Sequence, residues 1–141
     1  VPAHVSLLYP FVPEPALTGE DERSLRSLAA RFPAADVLLE ELVTASGFVG
    51  VTVSELQPIA DAFRAQWPGL RPYGGRFGAQ PAAHVTVAMG ADDPTASARV
   101  RAAVGSLLPL RTLAAEVQLV VLTEEGWRLR LTTPLGGPDG R

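Results

Sequence analysis

Short apolar runs with a polar residue at every second place alternate along this chain with longer stretches whose apolar residues recur every three or four. The first kind fits half-buried strands and the second fits amphipathic helices. Ala3 to Leu8, with His4 and Ser6 as its polar positions, predicts a strand. Pro10, Pro13 and Pro15 then force a loop. Thr18 is placed to cap a helix whose first turn holds Glu20, Asp21 and Glu22, where the helix dipole favours acids. Leu25, Leu28, Ala29 and Phe32 follow at helical spacing, and Pro33 ends the element.

The pattern next predicts two strands, Ala35 to Val43 and Phe48 to Val53, joined through Thr44, Ala45, Ser46 and Gly47 as a hairpin. A second helix is expected from Ser54, with Gln57 three residues on completing a capping box and Ile59, Phe63 and Trp67 as its buried stripe. Gly69 to Ala83 reads as a long loop. His84 to Met89 is again a short strand, Asp93 and Pro94 open a helix running to about Leu108, and Leu113 to Thr123 with Trp127 to Thr132 form a last hairpin around Glu124, Glu125 and Gly126.

The plan repeats. His4-Val5-Ser6-Leu7 aligns with His84-Val85-Thr86-Val87 at an offset of 80, as does Ala35-Asp36-Val37 with Ala115-Glu116-Val117 and Leu42 with Leu122. Beyond the turn the offset is 79, aligning Gly47-Phe48 with Gly126-Trp127. The same elements in the same order predict a mixed α/β fold of the α+β type. Its two pseudo-symmetric lobes, at about residues 1–67 and 84–133, carry antiparallel sheets and flanking helices around a central cleft.

Composition narrows the class. The 141 residues suit one domain, and a hydrophobic share of 47% suffices for a core. The net charge is −3 and all 12 basic residues are Arg, with no basic stripe of the kind that grips long nucleic acid. There is no cysteine, hence no disulfide and no thiolate metal site. No apolar run approaches the roughly 18 residues of a membrane span, and no signal peptide is visible. A cytoplasmic location follows as the expectation, with no membrane partner.

The chemistry sits on the only two histidines, each in the pattern H-x-[S/T]-apolar. Given 16 Ser and Thr residues, a joint match by chance is on the order of one in a thousand. On a strand, i and i+2 share a face, so His4 lies beside Ser6 and His84 beside Thr86, with Val5, Leu7, Val85 and Val87 turned to the core. Each pair offers an imidazole for proton transfer and a hydroxyl for a phosphate oxygen. Two other readings stand beside this one. The histidines are unrelated strand residues satisfied by backbone groups, or they are a two-histidine metal site, which lacks a third ligand at a fixed spacing.

These paired motifs resemble the HxTx motifs of the 2H phosphoesterase superfamily, close to its 2′-5′ RNA ligase-like branch. Pro2-Ala3 before the first motif, Leu8-Tyr9-Pro10-Phe11 after it and Tyr73-Gly74-Gly75-Arg76-Phe77-Gly78 upstream of the second agree. The resemblance spans Val1 to about Thr133. It implies hydrolysis of 2′,3′-cyclic or related phosphodiesters without metal or other cofactor, reversible 2′-5′ ligation of RNA ends as an allied reaction, and His4, His84, Ser6 and Thr86 as the catalytic set. The substrate expected is a nucleotide or an RNA end bearing a cyclic phosphate. A phosphate-ligand or RNA-end binding module using the same cleft without catalysis is the rival.

Three departures accompany the resemblance. The strand and helix that relatives carry before the first motif are missing here, so the edge beside Ala3 to Leu8 is expected to be covered by another strand, a partner chain or further residues. Ser6 replaces the commoner Thr but keeps the hydroxyl. Met89 stands where many relatives have Arg, which weighs against ligation and leaves Arg76 as the cation for the site. Tyr9, Phe11, Tyr73 and Phe77 are the residues placed to stack a base. The Gly74-Gly75-Arg76-Phe77-Gly78 run serves either as a backbone cradle for phosphate or as a flexible loop.

Overall fold

Thr18 starts the first helix by exchanging two hydrogen bonds with Asp21. Its Oγ1 accepts the Asp21 N–H at 3.1 Å, and the Asp21 carboxylate accepts the Thr18 N–H at 3.1 Å. The resulting helix α1 (Gly19–Ala30) buries Leu25, Leu28 and Ala29, the stripe its spacing predicts, with Phe32 packed at the margin. The computed structural model describes residues 3–45, 48–78, 81–88 and 94–136.

The Asp21 carboxylate also accepts the Trp67 indole N–H at 3.1 Å, tying α1 to the end of the second helix. That bond, followed by the Thr18 backbone N–H, holds the Asp21 carboxyl below its ordinary value of 3.8. A depressed carboxylate stabilises the fold above its unfolded pKa, and the contribution is lost as pH falls through the lower folded value. Trp67→Phe therefore removes a pH-dependent part of stability, about 1 kcal/mol at this exposed site. In urea titrations the gap to wild type narrows as pH drops below 3.8. A gap that stays constant with pH would assign the whole effect to lost packing.

Strand β1 (Ala35–Leu39) stops short of the predicted end. Glu40 and Glu41 are adjacent, so continuing the period-2 alternation would turn one carboxylate into the core. The chain breaks there and resumes as β2 (Val43–Ala45), which pairs antiparallel with β3 (Phe48–Thr52). The predicted hairpin partner of β1 is thus wrong: β1 pairs with β5 (Leu110–Ala114), far along the chain. The other side of β1 is met by the Glu55 carboxylate, which accepts the Leu38 N–H at 2.8 Å. That bond is the main reason the Glu55 carboxyl is lowered. The turn residues Ser46 and Gly47 lie outside the described residues.

The second helix also differs in detail. Ser54–Leu56 is a 3-10 turn without a side-chain cap, and the α-helix proper is α2 (Gln57–Gln66). No capping box forms, because Gln57 is engaged elsewhere. Its Oε1 accepts the Ala83 N–H at 2.7 Å and its Nε2 donates to Asp61 at 3.0 Å. Ile59, Ala60 and Phe63 are buried, and Trp67 packs edge-on against Phe11 and stacks with Phe63.

In the second half, β4 (His84–Ala88) joins β3 to complete the sheet β2-β3-β4. Helix α3 (Pro94–Val104) follows, and Arg101 on it donates to the Thr44 hydroxyl of β2 at 2.6 Å. The expected last hairpin exists as β6 (Glu116–Thr123) with β7 (Gly126–Pro134), but Leu113 and Ala114 belong to β5, in another sheet. Val117, Leu119 and Val121 alternate inward from β6. Exposed β7 arginines bind acids near α1: Arg128 and Arg130 meet Glu14 at 2.8 and 3.0 Å, and Arg130 meets Glu22 at 2.8 Å.

The architecture is mixed α and β with antiparallel sheets, as the patterning predicts. Two of the sheets join strands from both halves of the chain, β1 with β5 and β3 with β4. The core gathers Leu25 and Leu28 of α1, Ile59 and Phe63 of α2, Val37, Val53, Leu119 and Leu131. Among the described residues no helix is long and apolar enough to cross a membrane.

Candidate active site

The first histidine segment is not a full strand, contrary to expectation. Among its described residues only Val5 pairs, in an isolated antiparallel bridge with Val85 of β4. The chain bends from Leu7 onward into the proline-rich loop, so the ladder has no length over which to extend. That one bridge nevertheless sets a register. Antiparallel pairing of Val5 with Val85 puts Ser6 across from His84 and His4 across from Thr86. In a regular ladder the two histidines become diagonal neighbours, about 7–8 Å apart.

The faces separate as the alternation demands. Val5 and Val85 pack against the core, and Val51, paired with Val85 on the other side, is buried. His4, Ser6, His84 and Thr86 share the opposite face. β3 adds Thr52, directly opposite His84, and Gly50, directly opposite Thr86. His4 and Thr86 are exposed, whereas Ser6 and His84 are half-buried.

His84 is anchored through its ring. Nδ1 lies 2.8 Å from the Ala82 carbonyl oxygen. A carbonyl only accepts, so Nδ1 carries the proton, and the proton that comes and goes with charge is the one on Nε2. Ala83, between these residues, is buried and pinned by Gln57 through its N–H.

Arg64 of α2 ties the two motifs together. Its Nε donates to the Leu7 carbonyl at 3.3 Å, and its Nη1 donates to the Pro81 carbonyl at 2.7 Å. One guanidinium thus fixes the backbone at the end of the first motif and just before the second.

Tyr73 reaches both motifs with its side chain. Its hydroxyl is near enough to the Ser6 side chain for Ser6 to act against the rise in its pKa. Its ring lies over His84, with centroids 5.9 Å apart and planes at 29°. Burial raises the Tyr73 hydroxyl pKa, and Ser6 and the Arg64 charge only partly oppose it. The backbone here is left-handed, with φ 54° at Tyr73, and glycines at 74 and 75 continue with positive φ. A bulky residue pays about 1–2 kcal/mol for that conformation. The backbone N–H of Tyr73 bonds the Tyr9 carbonyl.

The remaining predicted residues divide. Tyr9, 45% exposed, touches Tyr73 at 6.1 Å and Trp127 at 6.1 Å between ring centroids. Phe77 meets Tyr73 edge-on at 5.4 Å, and the Arg76 guanidinium sits 5.3 Å over the Phe77 ring. Phe11 instead packs edge-on against Trp67 at 4.9 Å beside the core. Met89 and Asp93 lie outside the described residues. Arg64, Gln57, Thr52 and Trp127 are the neighbours that sequence reading missed. Their patterns mark them as helix-face or strand residues, with no local signal for the partners they reach.

Among the described residues no three of His, Cys, Asp and Glu gather as a metal-binding group. The arrangement offers two imidazoles for proton transfer and two hydroxyls for hydrogen bonding on one surface. No curated protein matches the chain. The family model described as the 2′-5′ RNA ligase superfamily matches residues 1–126, a stretch that takes in both H-x-[S/T] motifs, the Tyr73 loop and Arg64. The chain belongs to the 2′-5′ RNA ligase superfamily, a family of 2H phosphoesterases.

Proposed function

We propose that this protein is a metal-independent cyclic phosphodiesterase, acting in the cytoplasm on 2′,3′-cyclic phosphates of nucleotides or RNA ends. The observation that carries the reading is the Val5–Val85 pairing, which joins the two motifs at equivalent positions of the repeat. An antiparallel bridge between equivalent residues is a local twofold axis. It is what two pseudo-symmetric lobes sharing one site require.

In the mechanism, one histidine is neutral and takes the proton from an attacking water. The other is protonated and delivers its proton to the departing ribose oxygen on the far side of phosphorus. Water oxygen bonds to phosphorus as the bond to that ribose oxygen breaks, leaving a phosphomonoester and a free hydroxyl. Ser6 and Thr86 donate to the non-bridging oxygens, where negative charge grows in the transition state. The twofold arrangement lets substrate orientation choose which histidine is acid and which is base. Tyr9 and Trp127, exposed beside Tyr73, give the attached base an aromatic surface.

The test is turnover of nucleoside 2′,3′-cyclic phosphates in excess EDTA, with product regiochemistry read by phosphorus NMR. Activity persists without metal, and its pH profile is bell-shaped because one imidazole must be charged and the other neutral. Loss of activity in EDTA that Zn restores would replace the mechanism with a metal-dependent one. Tight binding of cyclic phosphates without turnover would make the protein a binding module.

A further inference from the structure

Helix α2 carries a polar stripe, Gln57, Asp61 and Arg64, at the spacing that puts side chains on one helix face. Gln57 and Arg64 both reach the segment that leads into β4. Arg64 donates to the Pro81 carbonyl at 2.7 Å, and Gln57 Oε1 accepts the Ala83 N–H at 2.7 Å. The Ala83 carbonyl in turn accepts the Val53 N–H at 2.8 Å. The Ala83 N–H and the Ala82 carbonyl belong to a single peptide unit, and that carbonyl is the group 2.8 Å from His84 Nδ1. A planar peptide turns as a whole, so Gln57, by holding its N–H, also aims its C=O at the imidazole.

We propose that Gln57 is a positioning residue for His84: through the 82–83 peptide it fixes the neutral imidazole as the Nδ1–H tautomer, with the Nε2 lone pair as the proton acceptor. This inference rests on the cyclic phosphodiesterase reading. A neutral imidazole takes up a proton only at the nitrogen that lacks one. A histidine in the other tautomer presents an N–H where the attacking water needs an acceptor. Once charged, the same histidine gives up the Nε2 proton and keeps the one on Nδ1. Imidazole side chains in water favour Nε2–H, and a fixed carbonyl at Nδ1 reverses the preference. A hydrogen bond to the peptide N–H also polarises its carbonyl, which strengthens the bond that His84 donates. Gln57 cannot turn its amide nitrogen to Ala83, because two N–H groups would then face each other. Its Nε2 is left for Asp61, which accepts it at 3.0 Å and holds the carboxamide in the required sense.

The experiment joins nitrogen-15 NMR of the imidazoles to turnover of adenosine 2′,3′-cyclic phosphate. In alkaline solution, where imidazoles are neutral, wild-type His84, assigned by comparison with His4→Ala, shows the Nδ1–H pattern. Gln57→Met keeps the length of the side chain and removes the acceptor. It moves His84 toward the Nε2–H pattern and lowers kcat by about 5- to 30-fold, with KM changed by less than about threefold. Gln57→Glu combined with Asp61→Asn reverses the sense of the bond between the two side chains and keeps an acceptor for the Ala83 N–H. It shows the Nδ1–H pattern, with kcat within about threefold of wild type. An Nε2–H pattern for His84 in the wild type, which needs no variant to observe, would overturn the proposal. So would an Nδ1–H pattern in folded Gln57→Met, or a loss of kcat that the paired substitution fails to recover, the mark of a purely structural role. Wild-type protein that turns over no cyclic phosphate would defeat the functional reading and not this one. The His84 tautomer in the wild type and in Gln57→Met then decides.

Discussion

His4→Ala and His84→Ala are each expected to lower cyclic phosphate turnover by about 100- to 10,000-fold, the range for losing a positioned proton donor or acceptor. The expectation rests on two features of the shared face. The bridge at Val5 and Val85 brings both imidazoles to one surface. The Ala82 carbonyl directs the exchanging proton of His84 to Nε2. Because one reaction event uses both groups, the double substitution costs far less than the product of the single losses. Ser6→Ala and Thr86→Val cost less, about 1.5–3 kcal/mol each for a hydrogen bond to a charged phosphate. Steady-state kinetics on wild type and the five variants, with circular dichroism to verify folding, gives the comparison. Full activity in either histidine variant, or strictly multiplicative losses, would remove the paired acid–base mechanism.

Arg64→Met is expected to lower both stability and activity. The substitution preserves much of the side-chain length but deletes both N–H donors. The Leu7 and Pro81 carbonyls lose the partner that holds them at 3.3 and 2.7 Å. Hydrogen bonds from a charged group contribute about 1.5–3 kcal/mol each when sheltered, and these are only partly buried, so a combined loss of about 2–4 kcal/mol is expected. The catalytic consequence is separate. With the tether gone, the first motif loses one of the contacts that hold it against the second, and kcat/KM falls by about 10- to 100-fold even at temperatures where the variant is fully folded. Arg64→Lys keeps the charge but cannot span two carbonyls as a planar fork does, so it recovers stability in part and activity little. Urea titration alongside turnover separates the two effects. An Arg64→Met protein with wild-type kinetics would show that the tether serves folding alone.

Much of this is legible in the amino-acid sequence. The Thr18 cap and the Leu25, Leu28, Ala29 stripe are local patterns, set by side-chain reach within one helical turn, and α1 forms where they say. The two H-x-[S/T] motifs were legible for the same reason. Period-2 alternation is a property of the extended backbone, and it dictates that each hydroxyl shares a face with its histidine. The family model covering residues 1–126 is that of the family those motifs resemble.

Other features required the folded chain, because each depends on a partner distant in sequence. Nothing near Ala35–Leu39 announces that its partner is Leu110–Ala114 rather than the next strand, although the Glu40-Glu41 pair does mark where it must stop. Gln57 has the spacing of a capping residue, and only the arrival of Ala83 makes its carbonyl oxygen more useful there. Arg64 looks like any polar helix position until α2 sets it between Leu7 and Pro81. Tyr73 reads as a loop aromatic until a left-handed turn folds it back onto Ser6 and His84. The sequence by itself determined which side chains are candidates for the chemistry and which face of a strand they would occupy, since both follow from residue type and backbone period. The tertiary structure alone decided that two such faces are one, because that rests on a long-range pairing between Val5 and Val85 for which local sterics carry no preference.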